Sequence, residues 1–589
     1  MLLVNVAKIT LLLLILPCIA YRCRGAQFTV TQTGISGSGS LAAIILKANG
    51  TPGDNIIGFA VTNAITIAAP LTITKNVRIQ GRADFPTIIS GGGSIAIFTF
   101  AAGTTNTLAQ IVLADARSTN GGAAIQNAGA LLLNKCVLTN NQSDGYGGAI
   151  SNGGTMTILT STIVSNRTIR GVGGAVYNAG NLSVLATTFS GNLASGGDGI
   201  PPSIRGTGGG GGGGGLGGAV FSSGGLLSFT NCTFSGNRAL GGSGGNCSRE
   251  SQSSSGLGGY GGGIGAGRGG TNISQGGQDG IVAGGGGGGG EQASGGSGGS
   301  LGGGGGGGGS GGGGNLGGGT GGARYLFQLF NTSTYASVDG GGGGGAGLGA
   351  GLFVQSGVAA LVNCTFAYNS AVGGQGGQGY FLASPYSMIV GNPGRAGLGQ
   401  GGGIYNLAGN IFLLNTVVAS NIYTNGARDL YGDYASGGFN VIGNNQGTTG
   451  LSVLDFQNVD AKLGPLQNNG GLTLTCVPQP ASPAIGSGNS VGSHATDQRG
   501  VPRPQTGNCD IGAVQVVSSA PQIIGPIQFG PRGFSLSTIF DVTNSYRISG
   551  STHLASWIDL TNYVSGGARQ FLDPSATNIT QRFYRAVIP

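Results

Sequence analysis

Residues 122–192 carry one phrase three times: GAAIQNAGALLLNKCVLTNN, GGAISNGGTMTILTSTIVSN and GGAVYNAGNLSVLATTFSGN. The copies align on Ile125, Ile150 and Val176, and the phrase returns at Val220, Leu352 and Ile404. Each copy closes on an asparagine: Asn141, Asn166, Asn192, Asn237, Asn369 and Asn421. Opening and closing residues lie 16 apart in the first three copies and 17 apart in the last three. From copy to copy the opening residues step by 25, 26, 44, 132 and 52. A body of fixed length with variable chain after its closing residue is a solenoid coil with insertions at one place.

The body decides which solenoid. It holds short runs of β-branched and aromatic residues, such as TMTIL at 155–159 and TTF at 187–189, separated by Gly and Asn. Such runs are too short and too Gly-broken for helix, and read as two or three strands per coil. The expected fold class is all-β: a right-handed parallel β-helix with glycine-rich insertions and a small C-terminal β-sandwich-like domain. Coils would stack at about 4.8 Å, with Val, Ile, Leu and Phe in an inner apolar column. Asn127, Asn152, Asn178 and Asn406 follow the opening residue by two. They and the closing asparagines are expected to be structural, their amides bonding the coils above and below. Cys136, Cys232 and Cys364 share one repeat position and read as buried small hydrophobes.

GGAI or GGAV paired with FSGN (189–192, 234–237) and FAYN (366–369) resembles the polymorphic outer-membrane-protein repeats of bacterial β-helical surface proteins. Residues 452–515, with AKLGPLQNNGGLTLT, SPAIGSGN and ATDQRGVPRPQTGNCDIGAVQ, resemble the choice-of-anchor Q module of bacterial secreted proteins. Gly486 stands where that pattern carries Asp. Together the resemblances imply a secreted or cell-surface protein.

Residues 1–26 read as a signal peptide: Lys8, an apolar run, then small residues, with cleavage after Ala20 or Ala26. The run is short of the ~20 residues a membrane span needs, and no other segment is apolar enough. Residues 27–120 hold an N-terminal cap and the first coils, with a helix over Ser40–Lys47 covering the solenoid's open end. Residues 121–451 form the β-helix, with insertions at 193–218, 241–350 and 371–402. Residues 516–589, with short alternating runs, read as the sandwich. That last segment is too short for a membrane barrel.

The insertions carry poly-Gly at 208–215, 284–290 and 302–309. Gly has the most entropy to lose on ordering, so flexible loops are the first expectation. The other is packed polyproline-II-like helices, which resemble the glycine-rich recognition loops of some phage adhesins. All insertions should leave from one corner.

Charged residues make up only 7% of the chain, against about 25% in average domains. The net charge of +8 comes from scattered residues without aromatic interleaving, which argues against nucleic acid as partner. No cofactor and no metal site are expected. Cys476 and Cys509 bracket the 452–515 module and are the expected disulfide pair in an oxidising compartment. An Asp497–Arg499 pair is expected to hold a loop.

Parallel β-helices also carry polysaccharide lyases and hydrolases, which need paired carboxylates or an acid cluster. Here Asp144, Asp198, Asp279 and Asp339 fall in turns or glycine insertions, and Asp429 and Asp433 are the one close pair, expected on a surface turn. With no His before His494, acid–base chemistry lacks groups. The expected function is therefore a non-enzymatic adhesin or structural surface protein contacting glycan, matrix or cells, with no catalytic residues. The alternative is a polysaccharide-degrading enzyme, since a fold does not by itself confer an activity.

Overall fold

Each coil of the computed structural model passes through three faces. The structure describes residues 24–202, 208–247, 259–263, 266–269, 275–280, 283–289, 294–299, 302–306, 310–314, 318–323, 325–328, 335–338, 340–379, 381–384, 387–390, 392–424, 429–504, 508–516, 522–523, 527–540, 546–563 and 567–587. The predicted leader lies almost wholly outside them.

In one coil Ile125–Asn127 lies on the first face, Ala130–Asn134 on the second and Val137–Thr139 on the third; Gln142–Ser143 follows at a corner. Stacked coils give parallel sheets of 10, 11 and 11 strands and a corner ladder of seven. The sequence alignment is the strand register: Ile125 pairs with Ile150, then Val176, Val220, Leu352 and Ile404 in turn. The chain is a right-handed parallel β-helix, the hand that parallel crossovers take.

Alternation fills the inside. Leu131, Leu133, Met156, Ile158, Leu182 and Val184 point inward from the second face and are buried. On the third face Phe189, Phe234 and Phe366 stack with ring centroids 4.6 and 4.3 Å apart. The three cysteines fall in one buried column, in which Ser161, Thr187 and Thr416 occupy the intervening and following coils.

At the N-terminal end Leu41–Gly50 is the expected helix, with the Ser40 hydroxyl accepting from the Ala43 N–H. It buries Leu41, Ile44, Ile45 and Ala48 over the first coil. The strand Arg24–Val30 pairs with Asp54–Phe59, so the folded chain begins before the predicted boundary at 27. At the other end the strand Phe456–Gln457 still pairs with Val441–Ile442, which carries the solenoid past 451. The described residues of 522–587 form sheets of four and three antiparallel strands. Phe534, Leu536 and Phe571 from one pack on Tyr546, Ile548 and Tyr584 from the other, a small sandwich.

Candidate functional site

Three polar systems are built on the coils, and each uses groups that could otherwise serve chemistry. The first is the line of closing asparagines. Each donates its backbone N–H and its Nδ2 to the Oδ1 of the next: Nδ2 to Oδ1 is 2.9 Å from Asn141 to Asn166, 3.0 Å to Asn192, 2.9 Å to Asn237, 2.8 Å to Asn369 and 2.8 Å to Asn421. The second Nδ2 proton goes back one coil, to the carbonyls of Leu113, Leu138, Ile163, Phe189, Phe234 and Phe366. All point one way, so each bond polarises the next.

The line ends on a carboxylate. Asn421 gives its N–H and its Nδ2 to Asp429 Oδ1, at 3.0 and 2.7 Å. Asp429 is therefore no surface turn residue, as the sequence had led one to expect, but 4% exposed and the terminal acceptor of the ladder. Asp455 ends a shorter line in the same way, accepting from Asn440 N and Nδ2 and from Ser436. Asp433 is separate and exposed, and accepts from the Thr449 hydroxyl. A second line, Asn127 to Asn152 to Asn178, ends on the Ser222 hydroxyl. Asn406 stands apart, donating to the carbonyls of Gly409 and Asp433.

The second system is the strap, the described residues of 461–516, which lies along the third face. It is seated by a column of left-handed corner residues between the second and third faces: Gln110, Lys135, Thr160, Ala186, Asn231, Asn363 and Asn415, with φ from 46 to 56°. Asn tolerates that conformation, and its amide then projects outward. Asn415 accepts from Asn489 N–H and donates to the Asn489 carbonyl, at 2.8 and 2.7 Å. Asn363 accepts from His494 N–H, and Asn231 donates to the Thr496 carbonyl. Beside them Thr188 donates to the Leu474 carbonyl, Thr233 to Gln498 Oε1, and Thr365 accepts from Ala513 N–H.

Within the strap, Asp497 and Arg499 form a buried ion pair at 2.8 Å, and Asp497 also accepts from Val501 and Gln515 N–H groups. Asp510 takes the N–H groups of Gly486 and Val516, and burial pushes its carboxyl above the usual carboxylate range. Burial likewise lowers the Arg503 guanidinium, whose Nη2 reaches the Gly512 carbonyl and Asn231. The expected disulfide does not form: Cys476 and Cys509 are both free. Cys476 Sγ faces Ser235, while Cys509 Sγ faces Ser493 and Asn415. Those partners sit two coils apart, about 10 Å along the stack, beyond the ~7 Å a disulfide spans. Burial pushes the Cys476 thiol up to about 11.

The third system is the glycine insertions, and they are packed. Strands Leu193–Ser195, Arg238–Leu240 and Ser370–Val372 still pair in the corner ladder, so the insertions leave after them, all from one edge. The chain returns through Gly215–Leu216, Gly347–Leu348 and Gly399–Gln400, one parallel sheet. Between, the described glycine segments bond to one another at every third residue. Gly209, Gly212 and Gly215 donate to Gly340, Gly343 and Ala346; Gly208, Gly211 and Gly214 donate to Gly289, Gly286 and Ala283; Gly210 and Gly213 donate to Ile200 and Gly197. The carbonyls of the same segment accept from Gly242 and Gly245, from Gly259 and Gly262, and from Gly303 and Gly306. A period of three with no bond inside a segment is the polyproline II helix. The segment 208–215 is thus held on six sides.

Close approach excludes side chains. A Cβ on Gly211 would stand 2.0 Å from the Gly303 carbonyl oxygen, and one on Gly212 1.9 Å from that of Gly242. The bundle also covers part of the first face's outer aromatic row, Tyr177, Phe221, Phe353, Tyr405 and Tyr431, which stack at 4.8 to 5.7 Å. Leu216, Ala283, Ala346 and Leu348 pack on it.

Because 373 and 346 adjoin the solenoid, 379 and 340 mark the bundle's outer end. There two antiparallel hairpins emerge: Tyr325–Gln328 with Tyr335–Val338, and Phe381–Ser384 with Ser387–Val390. Their bases adjoin, since Asn392 donates to the Ala323 carbonyl and accepts through its own carbonyl from Gly341 N–H.

Among the described residues no group of three His, Cys, Asp or Glu is placed to hold a metal ion, and no helix is long and apolar enough to cross a membrane. No protein-family model matches the chain, and no curated protein matches it. Among solved structures it is similar to jun a 1, the major allergen from cedar pollen, at 16% identity and a TM-score of 0.23. That likeness covers 38% of this chain and 65% of the allergen.

Proposed function

We propose that this chain is an exported, non-enzymatic surface protein, in which a stiff β-helical rod carries on one edge a glycine-built platform. The outer end of that platform, with its two hairpins, is the part that meets a glycan, matrix or cell surface. The supporting observation is the order of the glycine insertions: in the segment 208–215 about 25 Å of chain, at ~3.1 Å per residue, is fixed by backbone bonds from six sides. A flexible tether would not need that. The carboxylates agree with the reading. Asp429, Asp455, Asp497 and Asp510 each hold backbone or amide groups, and so are committed to the scaffold.

The test is binding of the full chain to glycan and matrix arrays, beside a variant in which 325–338 is replaced by a short glycine turn. Loss of a hit in the variant supports the reading. Release of unsaturated or reducing sugars from a polysaccharide panel, abolished by Asp433→Ala, would replace it with the enzymatic one. Fractionation of producing cells tests export: the reading expects the chain in the medium or on the cell surface.

A further inference from the structure

The strap stops short. Its last hydrogen bond along the corner column is at Ala186, whose carbonyl accepts from Thr473. The column itself continues for three more coils, through Thr160, Lys135 and Gln110, with Thr162, Val137 and Val112 beside it on the third face. Over this stretch lies a trough of about 350 Å³, walled by Phe85 and by Leu472 of the strap. Both wall residues are large, apolar and more than half exposed, at 55% and 64%.

We propose that this trough docks an extended polypeptide segment, apolar at alternate positions and carrying an acidic side chain opposite Lys135. Two observations carry the choice of occupant. The first is continuity with the strap interface. Two to four coils beyond Thr160, the same corner position binds main chain: Asn231, Asn363 and Asn415 hold N–H and carbonyl groups of residues 489–496, and Thr188, on the third face one coil beyond Thr162, holds the Leu474 carbonyl. A segment laid in the trough would prolong that line over Thr160 and Thr162, while Phe85 and Leu472 cover its apolar side chains. Main-chain bonds with pockets for alternate side chains are a general mode of peptide recognition. The second is charge. Arg82 is already engaged by Asp84, whereas Lys135 is exposed and has no ion-pair partner among the described residues. The docking is independent of the platform on the other edge.

The probes are a fluorescent Leu-Thr-Leu-Asp-Leu-Thr peptide, acetylated and amidated, its Asp-to-Lys counterpart, and a panel of neutral oligosaccharides, titrated into the full chain by anisotropy. The acidic peptide is expected to saturate below about 1 mM. Lys135→Glu should weaken it by about fivefold, the scale of an exposed charge pair, and reverse the preference to the lysyl peptide. Phe85→Ala should weaken both peptides, by about tenfold. Lys47→Glu, remote from the trough, should change neither. Since Lys135 and Phe85 are exposed, an unchanged thermal midpoint shows that the variants fold. No saturation, equal binding of both peptides by parent and Lys135→Glu, or displacement of the peptide by an oligosaccharide would overturn the proposal.

Discussion

The solenoid and the glycine bundle lie in register with each other yet are held together by opposite means. A coil is specified by what its side chains fill: Phe189, Phe234 and Phe366 stack in a dry interior, and Asn141 to Asn421 wire one edge. The bundle has almost no side chains to bury, and each N–H of the helix 208–215 instead finds a carbonyl on a neighbour, every third one on the same neighbour. In the first region removing atoms destabilises; in the second adding them does. The pair shows that a chain can build a packed body without a hydrophobic core, provided a repetitive scaffold delivers the strands in phase.

The sharpest way to break that contrast is a substitution inside the bundle. Gly211→Val places a side chain where Gly303 O leaves 2.0 Å, with six neighbours preventing retreat. It should cost the bundle more than the about 3 kcal/mol of ordinary overpacking, read as lost amide protection over 208–215 while the solenoid stays protected. Gly313→Ala, whose Cβ would meet nothing nearer than Ser297 Oγ at 3.9 Å, should be neutral and serves as its control. The mirror experiment in the solenoid is Phe234→Ala, expected to cost about 4 kcal/mol in denaturant midpoint through lost burial and cavity.

Next in size is the ladder. Asn237→Ala strands the N–H and Nδ2 of Asn192 in a dry site, at about 3 kcal/mol. The buried Cys136 gives a pH signature of similar scale. Burial raises the Cys136 thiol to about 11, above its unfolded value near 9. Its contribution is therefore whole below pH 9 and is lost as pH rises toward 11, by ~3 kcal/mol. Cys136→Ala should flatten the alkaline arm of a stability–pH curve, and an unchanged arm would assign it to other groups. Smallest is Asp429→Asn, which keeps an Oδ1 acceptor at the ladder's end while removing the charge and turning Oδ2 into an NH2 donor, at about 1 kcal/mol.

Much of this was readable in advance, for reasons that differ by region. The coil register followed from Ile125, Ile150 and Val176 because an interior position repeats only if its neighbours do. The common exit edge followed from constant body length. The closing asparagines were readable as structural, but their carboxylate end was not: Asp429 takes an asparagine's place after an interrupted segment, at a spacing no other copy shares. Asn231, Asn363 and Asn415 were overlooked although each lies eleven residues after its opening residue. Their partners come from the strap, far along the chain, so local pattern could not mark them as a docking rail. The Cys476–Cys509 pairing failed because bracketing a module in sequence does not fix which coil each thiol faces. Poly-Gly was hardest, since a tether and a lattice have the same composition; only the three-residue phase between separate segments distinguishes them.

Native-state hydrogen exchange at Gly211, Gly212, Gly286 and Gly343 tests the packed bundle most directly. The account predicts protection of these amides comparable to that of strand amides such as Phe234 and Leu361. Exchange at the rate of an unstructured glycine chain, with the solenoid still protected, would contradict it.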